Sequence, residues 1–380
     1  MPAVSIRGRM DQAIDAALWR TPARGAYPDP RIFLSLSGLD QMRSFLAGKA
    51  PRPPIHYLTG MRPTEVGPGT STFVMPATGW LLSPPGLVQL GTLAILADGP
   101  LGCAVQSALP PATPFTTAEL SISGIRPTGA SGGNLIARGR LIHAGRSMAL
   151  SEATVEDGEG RVVAHATSRC FIFPPVVSPP PPPPEFATVE EPDDLHAPPY
   201  QRPPQGEVLG QDVYNRFSGL DVFRAQLSGD LPGPPISHLT GLRPVDVAEG
   251  EVTFVCPATK WLCSPLGKVE GGVIALVAET PPVSAVQTTV PAGTSYAELD
   301  LKVNFLRPVD PDGADLTANG RVIHRGKTVV IATSEVVDGQ GKRVAVATGS
   351  SMVMPGRPWR TEPPPPASEE PFGVRRCEED

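Results

Sequence analysis

Two hydrophobic periods run along this chain, and the chain runs through them twice. A short amphipathic stretch, SGLDQMRSFLAG at 37–48, reads as a helix, and SGLDVFRAQLSG at 218–229 repeats it. The β-branched, largely apolar segments TSTFVMP (70–76) and EVTFVCP (251–257) read as strands. Continuous apolar runs of helical length follow, at about 86–98 and 267–279, ending on the acids Asp98 and Glu279. Behind each run, four segments alternate with period two. In the first copy they are AELSISGI, LIARGRLIH, RSMALSEATVED and RVVAHATSRCFIF, with turns at HAGR and DGEGR. Such alternation implies antiparallel strands with one buried face. A sheet of about five strands must cover that face, and the one long apolar helix is the cover at hand. Each half is expected to be an α+β unit, a sheet wrapped on a helix.

The repetition is literal. PPIHYLTGMRP (53–63) recurs as PPISHLTGLRP (234–244), FVMPATGWLLSP (73–84) as FVCPATKWLCSP (254–265), and GRLIHAGR (139–146) as GRVIHRGK (320–327), each pair 181 positions apart. Residues 35–174 thus match 216–355 without a gap, the mark of a duplicated unit. Around the copies lie an N-terminal extension (1–34), a proline-rich linker and lead-in (175–215) and a tail (356–380) whose composition predicts disorder. The six prolines at 179–184 favour a polyproline II spacer. A ligand for a proline-binding domain is the less favoured alternative.

Composition narrows the function classes. The formal charge of −6, with basic residues scattered, argues against nucleic acid as a partner. Five cysteines form an odd set without CxxC spacing, which favours reduced thiols and a cytoplasmic setting over a disulfide frame or zinc site. No signal-peptide segment opens the chain, and no run approaches the ~18 apolar residues of a membrane span. His56, His165, His196 and His238 lack metal-ligand spacing. A glycine-rich phosphate loop and a Ser or Cys nucleophile elbow are also lacking. Neither metal nor cofactor is expected.

The ordered motifs suggest a family. They are Gly-x(6)-Asp on the apolar helix (Gly91 to Asp98; Gly272 to Glu279 in the second copy), a strand ending in Arg-Pro (126–127; 307–308), an "IH-x-Gly-[Arg/Lys]" hairpin and a final "D-G-x-G-[Arg/Lys]-x-V-A-x-A-T". In this order, twice over, they resemble the hotdog-fold acyl-CoA thioesterases of the phenylacetate-pathway type. The resemblance implies two hotdogs joined into one sheet with their central helices face to face, here a double hotdog made within one chain. It also implies an acyl-CoA substrate, and assembly of double hotdogs into homo-oligomers through sheet contacts.

Hydrolysis of a thioester needs an acid residue near the carbonyl and N–H donors for the growing oxyanion. A helix N-terminus supplies such donors. The family opens its helix with His-Gly-Gly and takes the carboxylate from the partner helix, so its residues are carried over crosswise. One set joins Asp98 and Thr117 to Gly271, Glu270 and Ser264. The other joins Glu279 and Glu298 to Gln89, Leu90, Gly91 and Ser83. The second set lacks the hydroxyl and holds two carboxylates that should repel and raise a pKa, so it reads as degenerate. Neither copy keeps the family histidine. Pro100 and the run Thr280-Pro281-Pro282 are expected to end the helices.

The function expected is hydrolysis of an acyl-CoA to free acid and CoA at one competent site, with Asp98 as general base or nucleophile. The alternative is a non-catalytic acyl-CoA-binding double hotdog. A hotdog hydratase would need a catalytic histidine, and none lies between Thr59 and Ile142. His143 and His324 read as solvent-facing hairpin residues, with Arg146 or Lys327 beside them as candidate CoA phosphate contacts. Gln106 and Gln287 are open between acyl-pocket residues and structural amides.

Overall fold

The computed structural model describes residues 18–130, 132–181 and 197–359. Each half builds six strands around one long helix. In the first half these are β1 (Arg62–Gly67), β2 (Thr70–Pro76), β3 (Phe115–Gly124), β4 (Asn134–Ala144), β5 (Met148–Glu156) and β6 (Val162–Ile172). The second half repeats them as β7 (Arg243–Ala248), β8 (Glu251–Pro257), β9 (Thr294–Phe305), β10 (Asp315–Arg325), β11 (Val329–Val337) and β12 (Arg343–Pro355). All twelve join one sheet in the order β1-β2-β4-β5-β6-β3-β9-β12-β11-β10-β8-β7. The seam is the antiparallel pair β3–β9, in which Ser121 faces Lys302, its own counterpart 181 positions on. A local two-fold axis therefore passes through that pair. The halves are a double hotdog.

The sixth strand was not expected. β1 and β7 carry Pro63 and Pro244 and show no period-two alternation of burial. They lie at the two sheet edges, where a proline is tolerated.

Against the concave face lie α1 (Leu90–Gln106) and α2 (Gly271–Thr288). Leu93, Ile95 and Leu96 are buried to 1 % or less, each worth roughly 1.5–3 kcal/mol in transfer from water. Both helices run on past the positions expected to end them, with Pro100 inside α1 and Pro281 and Pro282 inside α2. A proline lacks the N–H that would bond the carbonyl four residues back. For Pro282 that carbonyl belongs to Ala278, and the Ser334 hydroxyl donates to it instead. Packing between sheet and partner helix overrides the ~3 kcal/mol local penalty.

The ordered repeat starts earlier than the sequence match. The single helical turns Leu18–Arg20 and Pro199–Gln201 correspond at the same offset, and each crosses to the opposite hotdog. Trp261 Nε1 donates to the Thr21 carbonyl at 2.9 Å, and Trp80 Nε1 to the Arg202 carbonyl at 2.8 Å. Thus parts of the extension (1–34) and of the lead-in (175–215) clamp the two halves together. Trp359, from the segment read as tail, is also placed: it packs against Tyr214 and Tyr296 at ring distances of 5.4 and 4.7 Å. Half of the polyproline run, 182–184, and residues 360–380 lie outside the described residues. No helix among the described residues is long and apolar enough to cross a membrane.

Candidate active site

The two central helices touch through glycine. A Cβ on Gly272 would lie 2.5 Å from Ile95 Cα, and one on Gly91 would lie 2.7 Å from Leu276 Cα. Only glycine permits that approach. The crossing sets the N-terminus of each helix beside the middle of the other, where Asp98 and Glu279 stand. Gln89 and Glu270 occupy the N-cap positions, but neither side chain bonds the first turn of its helix. The leading N–H groups are left for whatever arrives from across the interface.

At the start of α2 that is Asp98. Its Oδ2 accepts from the Gly272 N–H at 3.0 Å, and a Cβ on Gly271 would sit 2.8 Å from the same oxygen. The donor is therefore the second glycine of the pair, whereas sequence reasoning had singled out the first. Among the described residues no acceptor meets the Gly271 N–H. Burial pushes the Asp98 carboxyl up to about 6, against the pull of the Gly272 amide. Glu270 is 7 % exposed, its Oε2 has no hydrogen-bond partner, and burial followed by the charge of Asp98 holds its carboxyl well above the usual range. Burial and the neighbouring Asp98 thus favour the neutral form of Glu270.

Two cysteines border this carboxylate. Burial raises the Cys103 thiol, with Asp98 and then Glu270 adding to the rise. Burial also pushes the Cys170 thiol up to about 11; Asp98 adds to this, while the Ser168 and Thr117 hydroxyls oppose it. Thr117 faces Cys170 across the β3–β6 ladder at a bulge, so Thr117 and Asp98 flank one thiol. The structure does not bring in Ser264. Its hydroxyl accepts from the Leu266 N–H at 3.3 Å, within the loop before α2, and the Ser83 hydroxyl likewise donates to the Leu87 carbonyl at 2.6 Å.

The start of α1 is occupied differently. Glu298 Oε2 accepts from the Leu90 N–H at 2.9 Å, and Gln89 Nε2 donates to Oε1 at 3.4 Å. Glu279 is 1 % exposed, and a Cβ on Gly91 would lie 2.9 Å from its Oε2. Neither Glu279 oxygen has a partner in good hydrogen-bond geometry, although the Gly91 amide and Thr280 hydroxyl lie close enough to draw its pKa down. Burial wins, with the Glu298 carboxylate beside it, and the Glu279 carboxyl is held well above its ordinary value.

Solvent separates the sites further. Asp98, Gly99, Gly102, Cys103, Thr117 and Gly271 all keep some exposure. In the second copy Glu279, Thr280, Val283 and Ser284 are buried. Gln106 and Gln287 prove structural: Gln106 donates to Gln41 at 2.6 Å, and Gln287 accepts from the Tyr296 hydroxyl at 3.0 Å. His143 and His324 stand in exposed strand ends next to hairpin turns. Sequence reasoning missed Gly272, Cys103 and Cys170. The doubled glycine signalled the first, but nothing local signalled the cysteines.

The family profile of the thioesterase superfamily matches this chain twice, at residues 86–164 and 266–345. A solved protein from Ralstonia eutropha, provisionally named a thioesterase and related to phenylacetic acid degradation, is 30% identical, with 34% of this chain and 98% of that chain covered and a TM-score of 0.32. The tesB protein of Mycobacterium avium subsp. paratuberculosis is 14% identical, covering 80% of this chain and 98% of that one, with a TM-score of 0.48. A Vibrio cholerae protein provisionally named an esterase is 24% identical over 151 residues, 40% of this chain and 96% of the relative.

Proposed function

This chain belongs to the thioesterase superfamily, and from that premise we propose that it hydrolyses acyl-CoA thioesters to free acid and CoA at one composite site, where Asp98 of α1 meets the start of α2. The observation that carries the reading is Asp98 seated on the Gly272 amide while the neighbouring Gly271 N–H has no acceptor among the described residues. An anion is stabilised at such a helix start, and the Gly271 N–H is the donor left for a carbonyl oxygen that gains charge.

In this scheme the thioester carbonyl oxygen lies against the Gly271 N–H. The second oxygen of Asp98, not engaged by Gly272, takes a proton from water, and the hydroxide adds to the carbonyl carbon. Collapse of the tetrahedral adduct breaks the C–S bond, and the proton held on Asp98 passes to the leaving thiolate. A carboxyl near pKa 6 suits this work, being ionised at neutral pH yet basic enough to accept a proton. Thr117 orients the water. Burial and the Asp98 charge favour the neutral form of Glu270, which limits the negative charge opposing the oxyanion where the family has its histidine. Ser264 acts one step removed, by holding the loop from which α2 begins.

The test is release of CoA thiol from short, medium, long and aromatic acyl-CoAs by wild type, Asp98→Asn and Glu279→Gln. Loss confined to Asp98→Asn is expected. Loss confined to Glu279→Gln would transfer the chemistry to the other site. Binding of acyl-CoA by folded wild type without turnover on any substrate would favour the non-catalytic reading.

A further inference from the structure

The two helix starts differ in one respect that the exchange of residue types alone does not convey. At α2 a backbone donor is open; at α1 the equivalent donor is taken. Leu90 stands 181 positions before Gly271, and its N–H is bonded at 2.9 Å by the Glu298 carboxylate, the residue equivalent to Thr117. An extra carboxylate from β9 therefore sits where a thioester's oxyanion would be held.

We propose that Glu298 is a built-in occupant of a second, latent thioesterase site, and that this carboxylate, rather than loss of the remaining machinery, keeps the site shut. The inference rests on the reading of the Asp98 site given above. Leu90 and Gln89 replace Gly271 and Glu270, but the second set keeps a backbone donor and an acid. Glu279 provides the acid on the facing helix, and its two oxygens are buried and unpartnered, with Oε2 2.9 Å from where a Cβ on Gly91 would lie. Gln89 at the cap position can donate through its amide, as it does to Glu298. The apolar walls persist as well. Leu90, Pro282, Val283, Val286 and Ala332 line a cavity with Glu279 and Glu298. That cavity measures about 10 Å³, room for roughly one water.

The occupant satisfies its surroundings. A carboxylate at a helix N-terminus is stabilised by the orphan N–H groups and the dipole. Burial, and after it the charge of Glu298, hold the Glu279 carboxyl well above its ordinary value, which disfavours the ionised form a base there would need. Glu298 thus removes the oxyanion donor and weakens the base. Threonine, the residue of the first copy, would release both.

Two variants, Glu298→Thr and Glu298→Ala, are made in the wild type and in the Asp98→Asn background. Folding is checked by circular dichroism. Binding of a non-hydrolysable thioether analogue of acyl-CoA is counted by calorimetry. The wild type is expected to bind one analogue per chain and both position-298 variants two. Asp98→Asn/Glu298→Thr is expected to regain turnover by about 10-fold or more over Asp98→Asn, since a single oxyanion donor is worth ~10²-fold. Two analogues bound by the wild type would overturn the proposal. So would folded variants that still bind one and gain no turnover. Full activity in Asp98→Asn alone would sink the Asp98 reading instead, and the binding count would still decide this one.

Discussion

The two hotdogs share their element order, their register and even a helical proline, Pro100 and Pro281, yet they finish their sites differently. The first contributes an acid and a hydroxyl, Asp98 and Thr117, on surfaces with some exposure. The second contributes two carboxyls, Glu279 on a helix buried along nearly its whole length and Glu298 on β9. Small residues keep the first helix open at Gly99, Gly102 and Cys103, where the second has Thr280, Val283 and Ser284. Trp359 then covers the second, joining Val283, Tyr214 and Tyr296 in one cluster. Because each site takes its acid from one copy and its helix start from the other, a substitution acts across the fold. The first copy's carboxylate is served by the second copy's glycines, and the second copy's Glu298 closes the first copy's helix start.

The sharpest way to break this comparison is to exchange the acids. Asp98→Asn is expected to lower kcat/KM by about 10³-fold, a general-base effect, while Glu279→Gln changes it less than about twofold. Steady-state CoA release measures both, and equal losses would erase the distinction. Next comes the helix start. In Gly271→Ala the new methyl lies 2.8 Å from Asp98 Oδ2 and must displace it. A loss of about 10²-fold in kcat with unchanged fold is expected, as for a misplacement near 1 Å; a near-normal kcat would remove Gly271 from the oxyanion role.

Stability sharpens the contrast from the other side. The native Glu279 carboxyl binds its proton more tightly than the unfolded one, so stability falls as pH rises above the ordinary glutamate range. Glu279→Gln should therefore be more stable than wild type at pH 7, by about 1 kcal/mol or more, with the gap closing near pH 4. Denaturant melts at the two pH values read this out, and a gap independent of pH would contradict it. The smallest effect concerns Glu270. The kcat/KM profile should rise with pH through about 6 as Asp98 ionises. Since burial and the Gly272 amide set the Asp98 carboxyl, Glu270→Gln should leave the midpoint in place; a shifted midpoint would show that the pair shares its charge.

Much of this was legible in the residues. Alternation located strands β2 to β6 and their copies, and the constant 181-residue offset gave the two-fold relation before any coordinate. The crosswise pairing of Asp98 with the start of α2 followed from the resemblance. The edge strands were hidden because an edge needs no apolar alternation. The helix ends were misread because proline's cost is local, whereas the Ser334 hydroxyl and the packed sheet that offset it come from elsewhere in the chain. The clamp formed by Leu18–Arg20 and Pro199–Gln201 was hidden for the same reason, since its partners are Trp261 and Trp80 of the opposite hotdogs.

The sequence alone determined the duplicated α+β unit, the position of its acids and the absence of a hydroxyl at 298, because periodicity and residue chemistry are properties of the chain itself. The tertiary structure alone decided which backbone donor each carboxylate meets. Asp98 takes the Gly272 amide and leaves Gly271 open, while Glu298 takes Leu90 and leaves Glu279 unpaired. That choice depends on an ångström-scale helix crossing through Gly91 and Gly272, a distance that no spacing along a chain can encode.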